Sequence, residues 1–350
     1  MDSLLSVDEL LREAYELGAS DVHITADAPP MFRIHGDLKP AREAPLSPLQ
    51  TLELVKQLVT EEHYDHFLAS GDYDGAYGLE GIVRCRVNAF RQRGNASLTI
   101  RLIPEKIPSI DALGLPSIVL EMIKKPQGLL LVTGPTGSGK STTLAAMIDH
   151  INRTRREHII TLEDPIEFIH ANRNCIVNQR EAGKDTVSFA AGLRAALRQD
   201  PDVILLGEMR DLETISTAIT AAETGHLVFA TLHTADAPQT IDRMIDVFPS
   251  AAQQQIRVQL ASVLLGVIAQ RLLPRQDGQG RVAAMEVLVN TPAVANLIRS
   301  EKVHQIRSMM QTGKSLGMQT MEMALRELLQ QRMISMDTAK EALMYQTEWN

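Results

Sequence analysis

The stretch GLLLVTGPTGSGKSTTLAAMI, Gly128 to Ile148, decides how the rest of this 350-residue chain is read. It opens on an apolar run, Leu129 to Val132, and continues from Gly134 to Ser141 as G-P-T-G-S-G-K-S, which matches G-x-x-x-x-G-K-[ST] at every fixed position. The following residues place Leu144, Ile148 and Ile151 at helical spacing, the mark of a helix with one packed face. A strand, a glycine-rich loop and a helix in this order make a phosphate-binding loop. The glycines let backbone N–H groups turn inward around phosphate oxygens, and the helix offers its positive N-terminal end to the same anion.

The expected ATP and phosphate contacts are Gly134, Pro135, Thr136, Gly137 and Ser138, followed by Gly139, Lys140, Ser141 and Thr142. Lys140 is positioned to reach the β- and γ-phosphates. Ser141 would offer its hydroxyl to Mg²⁺, an ion that keeps several waters and needs few protein ligands.

Outward from this loop, apolar segments alternate with helical patterns. Leu129–Val132, His158–Leu162, Val203–Leu206, Leu227–Leu232 and Val282–Val289 are nearly continuous in hydrophobicity, as strands buried on both faces should be. They predict a parallel sheet with flanking helices, an α/β class. Upstream, IVRCRVNAF alternates with the period of a half-buried strand, SLTIRLIP does the same, and Asp21–Thr25 and Met31–Ile34 are strand-like. Residues 1–103 therefore read as a small α+β domain. Residues 104–116, with three prolines and Gly114, read as a linker or hinge. The nucleotide-binding core is expected over 117–290 and a helical C-terminal part over 291–350, where Met318, Met321, Leu325 and Leu328 suggest an adaptable packed face.

Composition narrows the classes. Net charge is −8 and no long basic stripe occurs, which argues against a nucleic-acid partner. Arg153, Arg155 and Arg156 are dense but sit where the helix after the loop should end, a position that favours cations. Cys85 and Cys175 are the only cysteines, so one chain can build neither a disulfide framework nor a four-cysteine zinc site. The start, MDSLLSVDELLREA, mixes acids with apolar residues and reads as an amphipathic helix, not a secretory leader. Leu260–Ala269 is too short to cross a bilayer. A cytosolic protein is expected.

A nucleotide hydrolase needs carboxylates beyond the phosphate loop, to hold the metal's water shell or to orient the attacking water. Glu208 follows the apolar run of DPDVILLGEMRD, with Gly207 where an aspartate often stands. Glu163 ends the strand of HIITLEDPIE, beside Asp164 and Glu167. His233 ends LVFATLHT and is a candidate sensor of the γ-phosphate. All three would emerge at the carboxyl edge of the sheet, where open α/β sheets bind ligands. Arg84, Arg86 and Arg101 in the first domain are either solvated sheet residues or suppliers of transition-state charge stabilisation.

Together these segments resemble the type IV pilus retraction ATPases, the PilT-type branch of the secretion ATPase superfamily. GPTGSGKSTT is similar to the family's Walker A, ITLEDPIE to its Asp box with Glu163 as the water-activating carboxylate, and LLGEMRDLET to its Walker B with Glu208. GHLVFATLHT is similar to its His box with His226 and His233, and GASDVHI to the start of its PAS-like N-terminal domain. The resemblance implies a PAS-like N-terminal domain, a RecA-like P-loop ATPase domain with a helical C-terminal tail, and a homo-hexamer that burns ATP with Mg²⁺. It further implies that this ring sits at the inner face of the cytoplasmic membrane through a platform protein, where a paralogous motor can work beside it.

One segment departs from the pattern. Where retraction enzymes usually carry A-I-R-N-L-I-R-E, this chain reads AVANLIRSE from Ala293 to Glu301, with Ala295 in place of the first arginine and Ser300 in place of the glutamate. Readings as an assembly or secretion ATPase, an accessory motor, or a nucleotide-gated scaffold stay open at this point.

Overall fold

The structure is a computed structural model that describes residues 5–34, 36–79, 82–103, 106–278 and 280–347, with backbone only for 344–347. Met1 to Leu4 at the head of the expected N-terminal helix, and Pro104 and Glu105 at the head of the expected linker, lie outside the described residues. The chain divides into two units: Met1–Ile107 with Pro165–Ile169, and Pro108–Asp164 with His170–Asn350. The boundary at Ile107 falls inside the proline-bearing segment. Pro165–Ile169, read above as part of the 117–290 core, packs instead with the first unit, where Arg84 Nε donates to Ile166 O at 3.0 Å.

The first unit contains α1 (Val7–Glu16), β1 (Asp21–Ile24), β2 (Met31–Ile34), β3 (Asp37–Pro40), α2 (Pro48–Leu58), α3 (Glu61–Ser70), β4 (Asp72–Leu79), β5 (Val83–Gln92) and β6 (Asn95–Ile103). Its six-stranded antiparallel sheet runs β3-β2-β1-β6-β5-β4. On β5, Val83, Cys85, Val87 and Ala89 are buried against Val7, Leu10 and Leu11 of α1 and the residues of α2, while Arg84, Arg86 and Asn88 face outward. This alternation is what the sequence predicts.

The second unit contains α4 (Ser117–Ile123), β7 (Gly128–Thr133), α5 (Lys140–Thr154), β8 (His158–Glu163), β9 (Ile176–Glu181), α6 (Phe189–Ala196), β10 (Val203–Leu206), α7 (Leu212–Glu223), β11 (Leu227–Leu232), α8 (Ala237–Asp246) and α9 (Ser250–Val263). It continues with β12 (Leu264–Pro274), β13 (Arg281–Val289), α10 (Pro292–Arg299), α11 (Ile306–Thr312), α12 (Met321–Gln330) and α13 (Met336–Thr347). Seven strands run in the order β13-β12-β7-β11-β10-β8-β9. Every residue of β7, β10 and β11 is buried, as double-sided coverage by helices requires.

One expectation changes. The sheet is mixed, because β13 returns antiparallel to β12. Leu260–Ala269 is a junction: α9 ends at Val263 and β12 begins at Leu264, with a register shift before Gly266. A side chain at Gly266 would meet Leu288 O at 2.4 Å, so the close pairing of β12 with β13 requires glycine there. Among the described residues no helix is long and apolar enough to cross a membrane.

Candidate active site

The loop between β7 and α5 has the predicted shape. Gly134, Gly137 and Gly139 take φ of 138°, 77° and 90°, a region closed to most side chains. A Cβ at Gly134 would lie 2.3 Å from Gln270 O, so glycine is required there on contact grounds as well. Pro135, Thr136, Gly137 and Ser141 are exposed, Gly139, Lys140 and Thr142 are half-buried, and Ser138 is buried with no hydrogen-bond partner for its hydroxyl. Lys140 Nζ folds back to donate to Gly134 O at 2.8 Å and Pro135 O at 3.0 Å. The first turn of α5 opens at the same place, so the positive end of the helix and the Lys140 ammonium face an exposed loop mouth. These residues fit a nucleotide's phosphates, with Ser141 able to present its hydroxyl to Mg²⁺.

Sequence reasoning missed the brace behind this loop. Gln270 on β12 is 1 % exposed; its Nε2 donates to Ser138 O at 2.5 Å and its Oε1 accepts from Thr143 Oγ1 at 2.9 Å. One side chain thus holds the loop and the helix that follows it. The available signal was a lone amide inside the apolar run LLGVIAQRLL.

The parallel pairing of β7, β11, β10 and β8 brings their carboxyl ends to one edge. The phosphate loop, His233, Glu208 and Glu163 follow these four strands in that spatial order. His233 Nε2 lies 3.4 Å from Glu208 Oε2, and Arg210 Nη2 lies 2.7 Å from Glu208 Oε1. Backbone bonds lock the strand ends to one another: Gly207 N donates to Leu162 O at 2.7 Å and Met209 N to Thr231 O at 3.0 Å. Asp211 then caps α7, its Oδ1 accepting from Thr214 N at 2.8 Å. Glycine at 207, in the place of the commoner aspartate, has a reason in the packing. A Cβ there would stand 3.2 Å from Leu162 O and 3.3 Å from Glu163 Cα, crowding the backbone that carries Glu163.

Glu163 is half-buried, and its Oε1 accepts from Thr161 Oγ1 at 2.6 Å and from Gln179 Nε2 at 3.1 Å. Thr161 and Gln179 were not distinguishable in the sequence as site residues.

His226 is not brought to this edge. It precedes β11, whose six residues separate it from His233 by about 20 Å at the usual rise per residue. Its Nδ1 sits 2.9 Å from Ala221 O at the end of α7, and its carbonyl accepts from Gly128 N at 3.0 Å, so it closes a helix end and a strand start. The pairing of His226 with His233 implied by the His box is therefore one of sequence, not of place.

The three arginines lie in the first unit, each with a partner there. Arg84 donates to Ile166 O, Arg86 Nη2 lies 2.7 Å from Asp74 Oδ2, and Arg101 Nε lies 2.9 Å from Asp21 Oδ1. Arg86 and Arg101 stand opposite each other on β5 and β6.

The AVANLIRSE segment forms α10 and its C-cap. Ala295 is 7 % exposed and packs in the main apolar core of the second unit, whereas Asn296, Arg299 and Ser300 are exposed.

Comparison with known proteins agrees with this architecture over almost all of the chain. A model of the type II/IV secretion system protein family matches residues 3–342. The type IV pilus retraction ATPase PilT of Pseudomonas aeruginosa is 48 % identical over 337 residues, covering 96 % of this chain and 98 % of that protein. The type IV pilus ATPase PilU of the same organism is 43 % identical, covering 96 % and 88 %. A crystal structure of the pilus retraction motor PilT with bound ADP superimposes with a TM-score of 0.89 at 51 % identity, covering 97 % of both chains. The phosphate loop, the strand-end carboxylates and these end-to-end matches agree, and the chain belongs to the type II/IV secretion system protein family.

Proposed function

We propose that this chain is the subunit of a hexameric, Mg²⁺-dependent ATPase that powers type IV pilus retraction through a membrane platform protein. ATPase activity is what its family implies. The observation that supports the finer reading is the order of the phosphate loop, His233, Glu208 and Glu163 along adjacent parallel strand ends, in a chain so similar to a retraction ATPase.

In this mechanism the N–H groups of Gly137 to Thr142 and the Lys140 ammonium hold the β- and γ-phosphates. Ser141 and Glu208 are the residues that would hold Mg²⁺ and its waters, and the ion would supply neutralisation of phosphate charge. Glu163 takes the proton of the attacking water. His233, beside Glu208, carries the state of the γ-phosphate to α8 through the Thr234 and Thr240 hydroxyls, which are 2.6 Å apart. Arg84 and Arg101 are each held through Nε, which leaves their Nη groups able to reach a phosphate, whereas Arg86 uses Nε and Nη2 on Asp74.

Turnover is tested on purified protein. Lys140→Ala and Glu208→Ala abolish Mg²⁺-dependent phosphate release, and Glu163→Gln keeps ATP binding while lowering the chemical step by about 10²–10⁴-fold. Binding without release in the wild type sinks the motor reading in favour of a nucleotide-gated scaffold. The direction of work is tested in cells lacking this chain, by counting surface pili and imaging their retraction. Abundant pili that fail to retract, not rescued by Lys140→Ala, support the retraction motor; loss of pili assigns assembly instead.

A second reading is favoured by one observation. The altered AVANLIRSE segment places Ala295 in the core where the resemblance implies an arginine, which keeps an accessory motor as the second reading. Normal pili and normal retraction without this chain, with a defect only when a second motor is also removed, would favour it.

A further inference from the structure

Between Glu163 and His170 the chain leaves the second unit and comes back. β8 ends at Glu163, Asp164 is the last residue before the crossing, Pro165–Ile169 belongs with the first unit, and His170 returns. One side chain closes the neck of this excursion. Gln179 on β9 donates from Nε2 to Glu163 Oε1 at 3.1 Å and accepts at Oε1 from His170 N at 2.8 Å. The amide has one possible orientation, because a carboxylate oxygen accepts and a backbone N–H donates. Strand register explains how Gln179 reaches both. β8 and β9 pair in parallel with Thr161 opposite Gln179 and Glu163 opposite Glu181, so Thr161, Glu163 and Gln179 share a face of the sheet. Thr161 Oγ1 and Gln179 Nε2 therefore converge on the same carboxylate oxygen from two strands.

Two carboxylates near the neck have cationic or histidine partners of their own. Glu181 is paired with Lys184 at 2.5 Å, and Glu208 is held by Arg210 and His233. Asp164 is exposed, and the buried His170 ring is held neutral, burial pushing it down to about 4.

We propose that Gln179 is a positioning residue for hydrolysis: it sets the Glu163 carboxylate and ties it to the returning end of the 165–169 segment. Arg84 grips that segment at Ile166 O, so a shift of the segment reaches the carboxylate from both ends, through Asp164 and through His170 and Gln179. The inference rests on Glu163 being the water-activating residue, and the experiment separates the two claims.

Gln179→Leu, Gln179→Glu, Glu163→Gln and the double variant Gln179→Leu/Glu163→Gln are compared with wild type. The readouts are kcat and KM for ATP, equilibrium ADP affinity, the pH profile of kcat, and hydrogen exchange of the 164–171 peptide. Gln179→Leu is expected to lower kcat on the order of 10²-fold, the loss typical of a misplaced catalytic group, with ADP affinity within about twofold of wild type. In the Glu163→Gln background it adds no further loss, since the group it positions is already disabled. It also speeds exchange of the 164–171 peptide.

Gln179→Glu keeps an acceptor for His170 N, so exchange stays slow. It also sets a second carboxylate beside Glu163, so the acid limb of the kcat profile moves to higher pH. This variant carries the test if Gln179→Leu does not fold. An unchanged kcat in Gln179→Leu, an equal loss in both backgrounds, or a loss confined to ADP affinity overturns the proposal while leaving Glu163 in its role. Wild-type turnover in Glu163→Gln removes that role and the proposal with it.

Discussion

Replacing Gln270 by leucine isolates the brace behind the phosphate loop. The side chain is 1 % exposed and bridges Thr143 Oγ1 and Ser138 O, so leucine fills a similar volume while removing one donor and one acceptor. Two net hydrogen bonds of about 1 kcal/mol each are lost, and a buried carbonyl left unpaired adds roughly 1–3 kcal/mol. The Thr143 hydroxyl escapes part of its cost by turning to its own helix carbonyl at Gly139, a bond available to threonine at this spacing. About 3 kcal/mol of destabilisation results, which for a unit of this size is roughly 6–12 °C in melting temperature. Scanning calorimetry should be done without nucleotide, because a ligand bound only to the folded state would mask the change. The decisive comparison adds Thr143→Val. Alone it strands the Gln270 acceptor; combined with Gln270→Leu it removes both partners, so the double variant should be more stable than the two single losses predict by about 1 kcal/mol or more. Strict additivity, or a Gln270→Leu melting temperature within about 1 °C of wild type, would refute the bracing argument.

Three further outcomes follow from contacts at the site and beyond it. Gly134→Ala should abolish ADP binding in equilibrium dialysis, because φ is 138° and the new Cβ would meet Gln270 O at 2.3 Å; retained affinity would mean that the loop has a second workable shape. Gly207→Ala should lower kcat with little change in ADP affinity, since its Cβ presses on Leu162 O and Glu163 Cα and leaves the phosphate loop alone. Glu286 on β13 is 4 % exposed, accepts from Ala237 N at 2.8 Å and Met321 N at 3.3 Å, and burial pushes its carboxyl up to about 7. A folded value above the unfolded one means its stabilising contribution is full below about pH 4.5 and is lost as pH rises to about 7. Denaturant unfolding of wild type relative to Glu286→Gln should therefore lose about 3 kcal/mol across that window, and a flat difference would reject the shift.

The candidate catalytic residues could be grouped because a parallel sheet converts local sequence into location. A buried strand is a short apolar run, and the polar residue that ends the run emerges at the carboxyl edge, so Glu163, Glu208 and His233 could be grouped before any fold was known. His226, named only through the resemblance to the His box, precedes β11 and so lies at the opposite end of that strand from His233. β9 was not readable at all: of IVNQRE only Val177 and Glu181 are buried, and an edge strand with polar residues on both faces has no period to detect. The α9–β12 junction could not be read for the opposite reason. Its apolar residues run on without a break from a packed helix into a buried strand, and hydrophobicity does not tell one from the other.

The positioning residues form a separate class, and no sequence window would have found them. Gln179 and Gln270 are amides whose importance comes from the backbone beside them: His170 N and Ser138 O respectively, the second of them 132 residues away in sequence. A buried amide satisfied at both ends is worth little in net stability, yet it costs several kcal/mol to leave half-paired, so such residues hold geometry more than they add stability. At Gln270 the geometry held is that of the phosphate loop. At Gln179 it is the direction of one carboxylate and the position of His170, where the chain re-enters the second unit. Under the proposed function, the link from Glu163 through Gln179 to His170 is where hydrolysis would meet the crossing segment, and the double-variant comparison of Gln179 with Glu163 measures that link directly.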